Sequence, residues 1–144
     1  MRQQRRIGPS AIHPIGRILL IVAYAVLGLA ATGRSVVQIT TKLDQAPLPY
    51  LVSGASALLY VVIALALWRG WRRVAIAGTV IELVGVLVVG TLGYVAPELW
   101  PDETVWTGYG SAYGWVPLAL PIIALVVLLR RGAASADAHA AEAS

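Results

Sequence analysis

Near the centre of the apolar run 74–95 stands one carboxylate, Glu82, the only acidic residue inside a long hydrophobic stretch of this chain. A carboxylate at hydrocarbon depth costs at least ~2.5 kcal/mol on insertion scales, so it should face other protein, with a partner or with its proton retained. Counting along the helix puts it about 12 Å from the start of its span, too deep to snorkel. The same counting brings Tyr60 of the second apolar run and Tyr24 of the first to its level, with Ser56 one turn above Tyr60. A Tyr24, Tyr60, Glu82 cluster is therefore the expected interior. Arg34 is the other candidate partner, but it lies about 10 Å higher and would need a tilt or a water to reach. Arg34, Gln38 and Lys42 recur every four residues and form a polar helix face that could instead engage Asp44 or the acidic loop 97–115.

Ions and protons cross bilayers along chains of polar groups, and a single carboxylate makes a poor relay. The simpler role is one interhelical hydrogen bond that fixes register, a contact worth ~0.6–2 kcal/mol in membranes. Ala75, Gly78, Gly85 and Gly93 share a stripe with Glu82, and the second apolar run offers the small segment SGASA at 53–57. Such stripes let helices approach closely.

The second group with chemical potential is the stretch PELWPDETVWTGYGSAYGWVPLALP, which carries Trp100, Asp102, Glu103, Trp106, Tyr109, Tyr113 and Trp115. Its aromatic faces and acids suit a lid or docking surface for a lipid, a polyprenyl carrier or a partner subunit. Interfacial anchoring by tryptophan and tyrosine is the simpler expectation. Pro121 frees the carbonyl of Pro117 and should kink the last span, leaving space under the loop. Gly108, Gly110 and Gly114 superficially resemble a dinucleotide fingerprint, but no strand precedes them and Tyr113 stands where the third glycine belongs.

Other chemistry has little support. The chain has no cysteine, which excludes disulfides, thiolate metal sites and a cysteine nucleophile. His13 and His139 sit at opposite ends without Cys, His, Asp or Glu at ligand spacing, so neither a metal nor a cofactor is expected. No Ser/His/Asp set, no paired intramembrane carboxylates and no phosphate cradle appear, and the expectation is a protein that is not an enzyme. The net charge of +4 comes from basic residues beside apolar spans, as orientation signals and anionic headgroups require, and not from a nucleic-acid surface.

The elements that must position these residues follow from composition. Of 144 residues 58% are hydrophobic and 12% charged, with a mean hydropathy of +0.76, well beyond soluble domains. Four runs, 15–33, 48–67, 74–95 and 113–129, each give about 25–33 Å of helix, enough for a bilayer core. Lipid offers no partner for backbone groups, so an all-α four-helix membrane bundle is expected over 15–131, between a basic leader 1–14 and a disordered tail 132–144. Arg2, Arg5, Arg6, Arg17, Arg69, Arg72, Arg73, Arg130 and Arg131 fall on one side, while the opposite connections hold only Arg34 and Lys42 as basic residues. The positive-inside rule then places both termini in the cytoplasm and the protein in the plasma membrane. Trp68 and Trp71 beside the inner arginines, and Tyr50, Tyr94 and the loop aromatics at the other side, fit interfacial belts. The basic leader with Gly28 and Ala30 loosely resembles a secretory signal. Its length, and the helical look of 34–43, favour a retained first span.

At ATGRSVVQITTKLDQAPLPYLVSG, IELVGVLVVGTL and PELWPDETVWTGYGSAYGWVPLALP, the chain resembles an uncharacterised family of small four-span integral membrane proteins of high-GC Gram-positive bacteria, over about 15–130. That resemblance implies the bundle and brings no activity or catalytic residue. The leading expectation is a non-enzymatic accessory subunit or scaffold, with a partner membrane protein or lipid. A small carrier or lipid-binding protein with a titratable Glu82 comes second, and a membrane enzyme acting on a lipid-linked substrate third.

Overall fold

The computed structural model describes residues 14–144; the leader 1–13, with Arg2, Arg5, Arg6 and His13, lies outside the described residues. Four helices, α1 (Pro14–Lys42), α2 (Pro47–Arg69), α3 (Arg72–Val95) and α4 (Val116–Ala143), are each long and apolar enough to cross a membrane. The protein is an all-helical, multi-pass membrane protein. Short 3₁₀ turns at Pro97–Leu99 and Thr107–Tyr113 are the other helical elements among the described residues.

Each helix is defined by its outward and inward residues. On α1 the buried positions Leu20, Tyr24, Leu27, Ala31, Ser35 and Gln38 advance by threes and fours, while Leu19, Val22, Val26 and Leu29 are exposed. Exposed aliphatic side chains of this density would be untenable in water and suit a hydrocarbon solvent. Sequential packing follows, α1 on α2, α2 on α3 and α3 on α4, whereas α1 and α4 scarcely touch. Small residues set the closest approaches: a Cβ on Gly78 would stand 2.7 Å from Cγ1 of Ile63, and one on Gly28 would lie 3.2 Å from Cγ2 of Val61. The two helices α2 and α3 are joined by a tight reversal at Gly70, whose left-handed φ of 75° lets its N–H reach the carbonyl of Ala66.

The first helix runs on past the membrane run 15–33 to Lys42, in line with the helical look of 34–43, because nothing before Pro47 breaks it; there Thr40 and Thr41 donate their hydroxyls to the carbonyls of Val36 and Val37. One boundary differs from the sequence reading. The tail 132–144, expected to lack stable structure, instead prolongs α4 to Ala143. Its alanines carry the highest helix propensity, and no proline interrupts them. The extension is nearly all exposed, so it is a continuation of the span and adds little to the core.

The arginine-rich end is tied by main-chain capping. Arg17 donates from Nε and Nη2 to the carbonyl of Leu67, at 3.0 and 2.7 Å, and from Nη2 to that of Trp68. Arg72 donates from Nη2 to Leu128 O at 2.9 Å. The guanidinium of Arg69 lies 5.3 Å from the ring of Trp68 and 5.8 Å from that of Trp71, a cation–π pair of contacts within the reach of that interaction.

Candidate functional site

The loop between α3 and α4 builds the site from above. Its first fixed point is a local turn in the segment TVWT: the Thr104 hydroxyl accepts the backbone N–H groups of Trp106 and Thr107, and the Thr107 hydroxyl accepts that of Thr104 at 2.8 Å. Short hydroxyl side chains favour such turns because they satisfy backbone donors in place. The turn points Val105 and Trp106 inward, leaving them 1% and 7% exposed. Two further ties hold the loop from the other helices. The Tyr50 hydroxyl of α2 donates to Asp102 Oδ2 at 2.7 Å, and Arg34 of α1 donates to the carbonyl of Glu103 at 2.9 Å.

Trp106 enters the bundle. Its indole Nε1–H donates to the hydroxyl of Tyr60 at 2.8 Å. Its ring covers Gly85, where any Cβ would stand 2.5 Å from Cζ3. Tyr109 lies in the same way over Gly90, stacks on Tyr94 with centroids 6.1 Å apart, and shares a hydrogen bond of 3.1 Å with Thr91. The chain reaches this pose through left-handed residues at Gly108, Tyr109 and Gly110. At Gly110 a side chain is doubly excluded, by its φ of 81° and by Pro117, which a Cβ would meet at 2.7 Å.

Below the indole lies the carboxyl. Glu82 is fully buried, and Tyr24 of α1 donates its hydroxyl to Oε2 at 2.7 Å. The other oxygen, Oε1, has no hydrogen-bond partner. Tyr24 and Tyr60 are neighbours, with ring centroids 6.2 Å apart at 44°. Thr79, one turn from Glu82 and also fully buried, returns its hydroxyl to Ala75 O. Glu82 thus joins α3 to α1, Trp106 joins the loop to α2, and the two tyrosines pack between them. Chemically this arrangement fixes helix register and leaves one carboxyl acceptor open; no nucleophile and base are paired in it.

The structure brings together Tyr24, Tyr60 and Glu82, and gives two further residues hydrogen-bond partners outside that trio. Ser56 is buried, but its hydroxyl is used within α2, donating to Ser53 O at 2.7 Å. Arg34 is not in the intramembrane cluster, since its guanidinium is engaged by the loop carbonyl of Glu103. Its place about 25 Å along α1 from Arg17 puts it at the loop end. Gln38, expected on a polar face with Arg34 and Lys42, is turned inward at 9% exposure, and its Oε1 has no hydrogen-bond partner.

The loop residues divide likewise. Trp106 is a buried plug and not part of an outer surface. Trp100, Asp102, Tyr109 and Tyr113 are half-buried, and Glu103 and Trp115 are exposed. The space expected beneath the loop is filled by its own Val105 and Trp106, because Gly85 and Gly90 remove the side chains that would keep the loop out. Sequence reasoning assigned Gly85 to a helix–helix contact and passed over Gly90. The available signal was the pairing of two glycines on one span with two aromatics, Trp106 and Tyr109, on the following loop.

At the loop end Asp102 is the perturbed acid. The Tyr50 hydroxyl bond holds its carboxyl below the usual carboxylate range, against the opposing effect of burial, with the Glu103 N–H and the charges of Arg34 and Lys42 adding to the lowering. At the other end of the chain His139 does have an acidic neighbour, Glu142, at 3.9 Å on an exposed turn. Among the described residues no group of three His, Cys, Asp or Glu side chains converges to hold a metal. No protein-family model, curated protein or solved structure matches the chain.

Proposed function

We propose that this is a plasma-membrane protein that acts without catalysis, as an accessory subunit or scaffold, with both termini in the cytoplasm. The observation that carries the reading is the docking of Trp106 onto Gly85 and Tyr60. At that level the bundle interior is occupied by its own loop, so the volume a carrier or enzyme would give to a ligand is taken by protein. The bundle then has its outward faces, its loop and its long terminal helix to offer to other membrane components. The orientation is supported by the arginines collected at the α2–α3 turn and along 130–131, and the membrane assignment agrees with the family resemblance of its motifs. Extraction in a mild detergent, followed by mass measurement of the intact particle, tests it. A partner membrane protein at fixed stoichiometry is the expected result, and a bare monomer overturns the reading.

The orphaned Oε1 of Glu82 favours one second reading, a small carrier or lipid-binding protein in which this carboxyl titrates. It requires that Glu82→Gln alter proton-linked uptake or lipid retention in vesicles. Unchanged values for both remove it.

A further inference from the structure

At the arginine-rich end a recess of about 350 Å³ opens between all four helices, lined by Arg17 of α1, Ala66 and Leu67 of α2, Arg72 of α3 and Arg131 of α4. Its size falls in the ~300–1,000 Å³ range of small-ligand sites. Three cations converge on it, and no carboxylate lines it. Among the described residues no arginine is ion-paired, the one close acid–base pair being His139 with Glu142. Like charges gathered at the edge of a low-dielectric bundle repel, and an anion placed among them removes that cost.

The guanidiniums are held in place without being used up. Arg17 and Arg72 each commit some donors to the carbonyls of Leu67, Trp68 and Leu128, which orients them and leaves the remaining N–H groups of a five-donor fork. Gly132 is part of the device. A Cβ there would overlap the Arg72 guanidinium, so glycine inside α4, a residue that costs about 1 kcal/mol relative to alanine, lets that cation lie across the helix. The level is also defined: Leu67 and Leu128 are the last buried residues of their spans, and the exposed Trp68 and Trp71 stand beside them. That is the depth of lipid headgroups.

We propose that this recess binds the phosphate of an anionic membrane phospholipid. Guanidinium forks match phosphate oxygens in charge and geometry, and basic pockets between membrane helices are suited to anionic headgroups. The bound phosphate bridges Arg17 and Arg131, and so ties α1 to α4, the pair of helices that the protein itself leaves scarcely in contact.

The test is titration of phosphatidylglycerol into the full chain in neutral detergent, read as the rise in thermal midpoint. Arg131→Gln is compared with Arg130→Gln, which makes the same charge change on the adjacent residue, outside the recess. Arg131→Gln raises the half-saturating lipid concentration about fivefold, the value of one headgroup cation, while Arg130→Gln changes it less than about twofold. Gly132→Ala keeps every charge, displaces Arg72 and weakens binding as well. Equal effects of Arg130→Gln and Arg131→Gln, or none from either, overturn the proposal, since they describe diffuse surface attraction. Inorganic phosphate alone forms the last arm. If it reproduces the stabilisation and Arg131→Gln abolishes that, the recess serves free phosphate and the lipid assignment is wrong. If it has no effect where phosphatidylglycerol stabilises, the lipid assignment stands.

Discussion

Trp106, on the loop between α3 and α4, donates its indole N–H to the hydroxyl of Tyr60 in the middle of α2 at 2.8 Å. A loop placed to cover the bundle is thereby part of its core. An indole buries ~150–250 Å² and keeps one polar atom that needs a partner when dry. Tyr60, itself fully buried, supplies that partner, and Gly85 supplies the space.

The Trp106–Tyr60 bond is separable from the packing around it. Trp106→Phe keeps a ring over Gly85 and loses the donor, while Tyr60→Phe leaves the indole N–H unsatisfied, a defect of about 1–3 kcal/mol. A double-mutant cycle on unfolding in detergent should give a coupling of about 0.6–2 kcal/mol. A coupling near zero would mean the two groups do not meet.

Glu82 and Tyr24 form the second tie. Tyr24→Phe strips the carboxyl of its one protein donor and should lower stability by about 0.6–2 kcal/mol. Glu82→Gln keeps an acceptor for Tyr24 and should be milder than Tyr24→Phe. If Glu82→Gln proves the more damaging, the carboxyl has a role beyond register.

The loop end should respond to acid. Asp102 is held below the usual carboxylate range by Tyr50, so its contribution is fully present above the unfolded value of ~3.9 and is lost as pH falls through the lowered folded value. Thermal midpoints of the native protein and of Asp102→Asn, followed with pH, should therefore converge in strong acid and separate above ~4, the native protein being the more stable. Parallel curves would show that the Tyr50 bond does not contribute.

Much of this was legible in the residues, for reasons that differ by element. Apolar runs of bilayer length fix the four helices because lipid admits only backbones satisfied within helices or closed barrels, and continuous runs of about 20 apolar residues fit the helix. Tyr24, Tyr60 and Glu82 could be brought to one depth because rise per residue is constant inside a span. The same counting set Arg34 about 10 Å above Glu82, with the acidic loop as its alternative partner, and there it meets the carbonyl of Glu103. Trp106 was not legible in this way. An aromatic loop residue reads as an interfacial anchor, and only the missing side chains of Gly85 and Gly90, on a different segment, admit Trp106 and Tyr109 to the bundle. Helical order in the alanine-rich tail was missed because the absence of a hydrophobic stripe argued against packing, while propensity alone sufficed to continue α4.

The central claim, that the loop fills the bundle, is tested most directly by thiol labelling. The chain has no cysteine, so Val105→Cys and Ser111→Cys each carry a single thiol, the first at a position 1% exposed and the second at an exposed one. In lipid nanodiscs a charged, water-soluble maleimide should label position 111 readily and position 105 at least about tenfold more slowly, since a free energy of docking above ~1.4 kcal/mol holds it closed. Adding Gly85→Val, whose side chain overlaps the indole, should release position 105 to rapid labelling. Equal labelling of 105 and 111 in the otherwise native protein would contradict the account.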